Sequence, residues 1–392
     1  MAARLEVFFL REWQRGSAWQ ILLQPLSWLF VFLTAIRRLC YRIGLMRTHR
    51  LRVPVVVVGN ISVGGTGKTP LVLALAQRLG QLGRHPAIVT RGYAKQGADL
   101  TAREVKAAHS ATGERSNEDA ESDEATLLSE RSGVPVYAGR DRVNTAGLML
   151  DQQPGVDVIL SDDGLQHYAL GRELEIAVVD VTRGFGNGAR LPAGPLRESR
   201  KRLTDVDCIV LNCPGAAAGT ESLQHDGSSD SESEVGAKRL RTQLATEAMG
   251  TPVFEMHYGS ETFFPIAQFG RSAQGSGVNA GLTTTEFLGQ MQGRRVAAVA
   301  GIGNPQRFFS HLRRLGVELV ETRDFPDHHA FSSGDLEAID AEVILMTEKD
   351  AVKCRQFDDS RGWMMRIDAH LPDDFLDFVL KKLAHVARSK AA

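Results

Sequence analysis

A β-branched run, Val53 to Val58, leads into Ser62-Val-Gly-Gly-Thr-Gly-Lys-Thr69, and a helical pattern from Pro70 to Leu82 leads out. This order of strand, glycine loop and helix constrains the chain more than any other stretch, because it builds a cradle for a phosphate chain. The backbone of Ser62, Val63, Gly64, Gly65, Thr66 and Gly67 and the following helix N-terminus surround an anion. Lys68 then reaches the outer phosphates, and Thr69 offers its hydroxyl to Mg2+. The full pattern places glycine six residues before the lysine; Ser62 stands there instead, so the first turn has to close without one.

From Val53 onward, short β-branched runs alternate with helical patterns, which predicts an α/β fold: a mostly parallel sheet of the P-loop NTPase kind, wrapped by helices. Strands are expected near Val55–Val58, Ala87–Thr90, Val134–Tyr137, Val156–Ser161, Leu174–Asp180 and Cys208–Asn212. A second series is expected near Val253–His257, Val296–Ala300, Val317–Glu321, Val343–Thr347 and Met364–Ile367. Residues 215–238, rich in Gly, Ser, Asp and Glu, read as a disordered acidic insertion. They separate a nucleotide-binding domain at 51–214 from a smaller C-terminal α/β part at 239–392 that contributes to the active site.

Residues 1–50 differ in character. Trp19 to Ile36 is nearly all apolar, with Trp13 before it and Arg37, Arg38 and Arg42 after it. The run covers roughly eighteen residues, near the lower limit for crossing a bilayer. It suits a short span with its C-terminal side in the cytoplasm or an amphipathic anchor lying in the interface. A core helix packed on the catalytic domain is the alternative. A cleaved signal peptide fits poorly, because Glu6 and Glu12 dilute the positive region and no small-residue cleavage site follows.

Bulk properties limit the partners. A formal net charge of −1 gives no general attraction to nucleic acid, so anion recognition falls to local basic groups. Cys40, Cys208, Cys213 and Cys354 make no C-x-x-C pair, read as reduced cytoplasmic thiols and show no zinc-binding spacing.

A bound nucleoside triphosphate needs an acid at the end of a neighbouring strand to hold Mg2+, directly or through water. The apolar run Val156–Ser161 followed by Asp162 and Asp163 supplies one, unless the pair caps the turn before Gly164; Asp180 is a second candidate. Phosphoryl transfer also calls for cations in nearby loops, and Arg91 and Arg197 follow predicted strands. Two loops carry candidate bases for an acceptor hydroxyl, Ser122-Asp-Glu124 and Asp327-His-His329. Gly301-Ile-Gly-Asn-Pro305 lacks the third glycine of a dinucleotide fingerprint and reads as a helix start, with Asn304 as cap and Pro305 in the first turn.

Asp162-Asp-Gly-Leu-Gln-His167, Arg183-Gly-Phe-Gly-Asn-Gly188, Leu191-Pro-Ala-Gly-Pro-Leu-Arg-Glu198, Gly301–Pro305, Phe325-Pro-Asp-His-His329 and Thr347-Glu-Lys-Asp350 follow in that order. Together they resemble the motif set of the tetraacyldisaccharide 4'-kinases, from the first fifty residues to about Cys354. The resemblance implies transfer of the ATP γ-phosphate to the 4'-hydroxyl of a tetraacyl glucosamine disaccharide 1-phosphate, giving lipid IVA at the cytoplasmic face of the bacterial inner membrane. It implies ATP and Mg2+ as cofactors, no nucleic acid and no obligate protein partner. Lys68 and Thr69 would serve ATP and Mg2+, Asp123 and His328 would act as the acid–base pair, and Arg197 would assist the transfer. Thr69, Asp162, Asp163 and Glu198 would stand by the metal. Ser122, Ala125 and Leu165 depart from the family pattern without removing a charge. The rival reading is a membrane-associated regulatory ATPase of the partitioning type, whose loop carries a lysine immediately before the two glycines; here that place is Val63.

Overall fold

The computed structural model describes residues 12–13, 19–91, 103–105, 123–213, 229–248, 250–268, 281–327 and 329–391. In the first half, the strands are β1 (Val55–Gly59), β2 (Pro86–Thr90), β3 (Arg103–Glu104), β4 (Val136–Ala138), β5 (Val158–Asp162), β6 (Leu174–Asp180) and β7 (Cys208–Cys213). The second half adds β8 (Val253–Pro265), β9 (Leu282–Thr283), β10 (Val296–Ala300), β11 (Leu319–Asp324), β12 (Val343–Thr347) and β13 (Gly362–His370). They form one sheet in the order β11-β10-β12-β13-β8-β7-β6-β1-β5-β2-β4-β3, with β9 added on β8.

The strand that feeds the phosphate loop is buried along its whole length. Val55, Val56, Val57 and Val58 are fully buried because β1 lies between β5 and β6 with helices on both faces, which is why it reads as an unbroken apolar run. Burying each such side chain is worth about 1.5–3 kcal/mol. The helix that leaves the loop, α2 (Lys68–Gln81), follows α1 (Trp19–Arg42) in the chain and packs Leu71, Leu75 and Leu79 onto this sheet. Next come α3 (Asp123–Ser132), α4 (Arg142–Gln152) and α5 (Ser229–Glu247). The second half contributes α6 (Thr284–Met291), α7 (Pro305–Arg314), α8 (Ser333–Glu337), α9 (Glu348–Cys354) and α10 (Asp373–Ala391).

The expected domain division is cut differently. Residues 215–228 lie outside the described residues, whereas 229–238, expected to be disordered, open helix α5. The sheet also runs straight across the insertion. β7 before it and β8 after it pair in parallel, Cys213 opposite His257, and β8 then continues to Pro265 antiparallel to β13. α10 in turn leaves the C-terminal part: Phe375, Leu376, Val379 and Leu383 join the first half's core beside Leu71 and Leu75.

α1 is not a core helix. Ile21, Leu22, Leu26, Trp28, Leu29, Phe32, Leu33 and Leu39 are exposed, and the stretch Gln20–Arg42 is long and apolar enough to cross a membrane. Its contact with the body is local, and includes an aromatic pair, Tyr41 against Tyr168 with ring centroids 5.7 Å apart, beside polar bonds. Ser27 Oγ donates to the Arg190 carbonyl at 2.9 Å and accepts from the Ala193 N–H at 3.0 Å. Arg38, near the helix end, pairs with Asp205.

Candidate active site

The parallel strands β1, β5 and β6 end at one edge of the sheet, where ligands of open α/β folds bind. At that edge Ser62 pairs in an antiparallel bridge with Leu196, and the Val63 N–H donates to the Pro195 carbonyl at 2.9 Å. The loop thus starts as extended chain, a conformation any residue adopts, which removes the need for glycine at Ser62. Left-handed backbone is needed further on. Gly67 has φ 92° and caps α2, and a Cβ there would come within 2.5 Å of the Asn212 amide. Asn212 Nδ2 donates to the Thr66 carbonyl at 3.1 Å, and Asn60 Nδ2 to the Thr66 hydroxyl at 3.0 Å, so both flanks of the cradle are fixed.

Lys68 does not point into empty space. Its Nζ lies 3.4 Å from Asp163 Oδ1, and Arg197 Nη1 reaches the same carboxylate at 3.1 Å. Burial works to raise the Asp163 carboxyl, but Lys68 and Arg197 outweigh it and hold it down to about 2. Arg197 is seated by its own backbone, whose N–H donates to the Ile61 carbonyl at 2.7 Å. The neighbouring Asp162 ends β5 opposite Val58 of β1. Burial pushes its carboxyl up to about 6; Lys68 draws it down, while the nearby Asp163 charge adds to the rise. Its Oδ1 is buried with no hydrogen-bond partner among the described residues. An orphaned, buried carboxylate oxygen beside a phosphate loop is the donor a hard cation takes, so the residues present fit Mg2+.

Glu198 does not join them. Its Oε1 accepts from Gln166 Nε2 at 2.8 Å, its Oε2 from the Tyr168 hydroxyl at 2.7 Å, and buried Arg202 lies 3.5 Å from Oε2. Both oxygens accept from buried or half-buried partners in this structure. Glu198 orients Gln166, whose Oε1 lies 3.5 Å from Arg197 Nη1. Asp180 is committed as well: Oδ1 accepts from Thr182 and the Arg183 N–H, and Oδ2 lies 3.4 Å from Arg307 of α7. α7 begins as expected, with the Asn304 side chain accepting from the Arg307 N–H and Pro305 in the first turn.

Asp123 opens α3, and its side chain lies outside the described residues, as does His328. Their neighbours are described, and they converge. Lys349 Nζ lies 3.4 Å from Glu124 Oε1 and 3.3 Å from Asp327 Oδ1, so one ammonium joins the two loops that carry the candidate bases. Burial works against the charge on Lys349, but Glu124 and Asp327 outweigh it and raise its pKa. The next residue, fully buried Asp350, accepts from the Gly301 N–H at 3.0 Å and from the Thr347 hydroxyl at 2.7 Å, tying the Gly301 loop to α9. Arg91 sits at the end of β2 on the same sheet edge and is exposed. Lys349, Gln166 and Asn212 join the site although nothing in the sequence assigns them a role. The position of Thr347-Glu-Lys-Asp350 at the end of a buried strand was the available signal.

The profile of the tetraacyldisaccharide-1-P 4'-kinase family matches residues 19–384. The chain belongs to that family. Members named tetraacyldisaccharide 4'-kinase include one from Methylobacillus flagellatus, 40% identical over 376 residues and covering 96% of each chain. Another, from Herminiimonas arsenicoxydans, is 41% identical over 392 residues, covering 97% of this chain and 96% of its own. Among solved structures, LpxK from Aquifex aeolicus in complex with ATP superimposes with a TM-score of 0.69 at 26% identity, covering 93% of this chain and 99% of that one. Membership brings the six motifs under one family and leaves the partitioning-type ATPase without support.

Proposed function

We propose that this chain transfers the γ-phosphate of ATP to the 4'-hydroxyl of a tetraacyl glucosamine disaccharide 1-phosphate, giving lipid IVA, at the cytoplasmic face of the inner membrane. The observation that carries the reading is the convergence of Lys68, Asp163 and Arg197 on one side of the phosphate loop, beside the orphaned Asp162 oxygen. The loop N–H groups from Gly64 to Lys68 hold the phosphates, and Lys68 and Arg197 offset charge that builds on the transferring group. Thr69 and Asp162 would hold Mg2+, with Asp163 beside them, and the ion would offset negative charge on the phosphates. His328, supported by Asp123, takes the acceptor proton, a reading supported by the way Lys349 gathers Glu124 and Asp327. The exposed apolar face of α1, with Arg37, Arg38 and Arg42 at its end, holds the enzyme in the membrane where an acylated acceptor resides.

The test is transfer of labelled γ-phosphate from ATP to tetraacyl disaccharide 1-phosphate in mild detergent. A phosphorylated lipid absent with Lys68→Ala is expected. ATP hydrolysis without lipid product, from an acceptor that another family member phosphorylates, would overturn the reading.

A further inference from the structure

Cys213, Glu255 and His257 lie on one face of the sheet behind the phosphate loop. Cys213 ends β7 directly opposite His257 on β8, and Glu255 precedes His257 by two residues, so strand alternation puts both β8 side chains on the Cys213 side. One ligand atom from each of the three lies within 4.8 Å of the others. The intervening residues face the other way: Asn212 holds the Thr66 carbonyl, and Met256 packs in the core beneath α2. Outside the phosphate site, this is the one group of three potential metal-ligating side chains among the described residues.

From this arrangement we infer that Cys213, Glu255 and His257 form a second cation site, selective for a thiolate-accepting divalent ion of the zinc type and distinct from the Mg2+ site. A sulfur, a nitrogen and a carboxylate oxygen with the fourth position left to water is a donor set that suits tetrahedral zinc and not magnesium. Two local observations support it. His257 turns Nε2 to Glu255, 3.3 Å from Oε2, and its buried Nδ1 has no hydrogen-bond partner among the described residues, so no bond there holds the ring away from a metal. Glu255 lies 3.3 Å from His257 and 2.6 Å from Arg241 of α5. The first partner is itself a ligand. The second is 53% exposed at the side chain and can swing into solvent as the metal takes over its charge, a freedom that the buried partners of Glu198 lack. A metal here ties the ends of β7 and β8 together immediately behind the loop that holds the triphosphate.

The experiment uses the full chain in detergent, stripped with chelator and titrated with Co2+ in excess Mg2+, so that the nucleotide site is occupied. One Co2+ per chain is expected, with a sulfur-to-cobalt charge-transfer absorption that Zn2+ abolishes by displacement. Cys213→Ser should lose that absorption with an unchanged circular dichroism spectrum, and His257→Gln should weaken binding about tenfold or more. Arg241→Ala should tighten binding several-fold, because it removes the competitor for Glu255. Absence of the thiolate band in the parent protein, its persistence in Cys213→Ser, or weaker binding in Arg241→Ala would each overturn the site.

Discussion

Asp162 and Asp163 are adjacent in sequence, yet their environments push their acidities apart. Asp163 is held down to about 2 by Lys68 and Arg197 against the cost of burial, so it contributes stability above its ordinary value of 3.8 that is lost as pH falls through about 2. Asp162 has the opposite sign. Burial raises it to about 6, so the folded state binds its proton more tightly than the unfolded chain; that stability is full below 3.8 and lost as pH rises through about 6. At pH 7.5 without Mg2+, Asp162→Asn is therefore expected to melt higher than the parent protein while losing kinase activity. A lower melting point would show that the buried charge is already compensated. Lys68→Ala removes the cation proposed to serve the transferring phosphate and is expected to lower kcat/KM by about 10²–10³. Lys349 acts through the loops it joins: Lys349→Met should lower kcat with little change in KM for ATP, since it is Glu124 and Asp327, not the phosphate loop, that lose their partner.

At the scale of elements, α1 is coupled to the body through few groups and to its surroundings through many. Replacing exposed Leu22, Trp28 and Phe32 with glutamine should release the protein from liposomes in a flotation assay while leaving its fold intact. Ser27→Ala acts on the other face. It strips the Arg190 carbonyl and the Ala193 N–H of their shared partner and should cost about 1–3 kcal/mol in denaturant unfolding. Elements differ in how far the sequence alone discloses them. β6, β10 and β12 carry the bounds that the β-branched runs predict, because strands buried by helices on both faces need continuous apolar character. β8 runs eight residues beyond its predicted end at His257, to Pro265: the second stretch is half-buried and pairs antiparallel to β13, and its composition carries no trace of that partner. The phosphate loop and the acids after β5 were legible because motif and strand end coincide. The commitment of Glu198 was not, since it depends on Gln166, Tyr168 and Arg202 arriving from separate segments. The cation site behind the loop was hidden for a related reason: Glu255 and His257 share β8, but Cys213 joins them only across the ladder, from β7.

Across the whole molecule, two features prevent the halves from behaving as independent domains. β8 is shared, pairing with β7 of the first half up to His257 and with β13 of the second half from there to Pro265. α10 returns from the second half to fill the first half's core with Phe375, Val379 and Leu383. Unfolding one half exposes an edge of β8 in the other, and unfolding the second half's last strand detaches α10 from the first, so loss of either structure carries the other with it. Tryptophan placement makes this coupling measurable. Trp13, Trp19 and Trp28 lie in the N-terminal segment, and Trp363 sits in β13 in the second half's core, away from the nucleotide cradle. With Trp13→Phe, Trp19→Phe and Trp28→Phe combined, the remaining indole reports the second half alone. Mg2+ and ATP at a hundred times the dissociation constant stabilise the state that binds them by about 2.7 kcal/mol. If the halves unfold as one, the Trp363 transition in urea should shift by that full amount, although the ligand is held by the other half. A Trp363 midpoint that stays put while circular dichroism of the first half shifts would mean that β8 yields before either core does, and that the two halves are separable units joined by a weak strand.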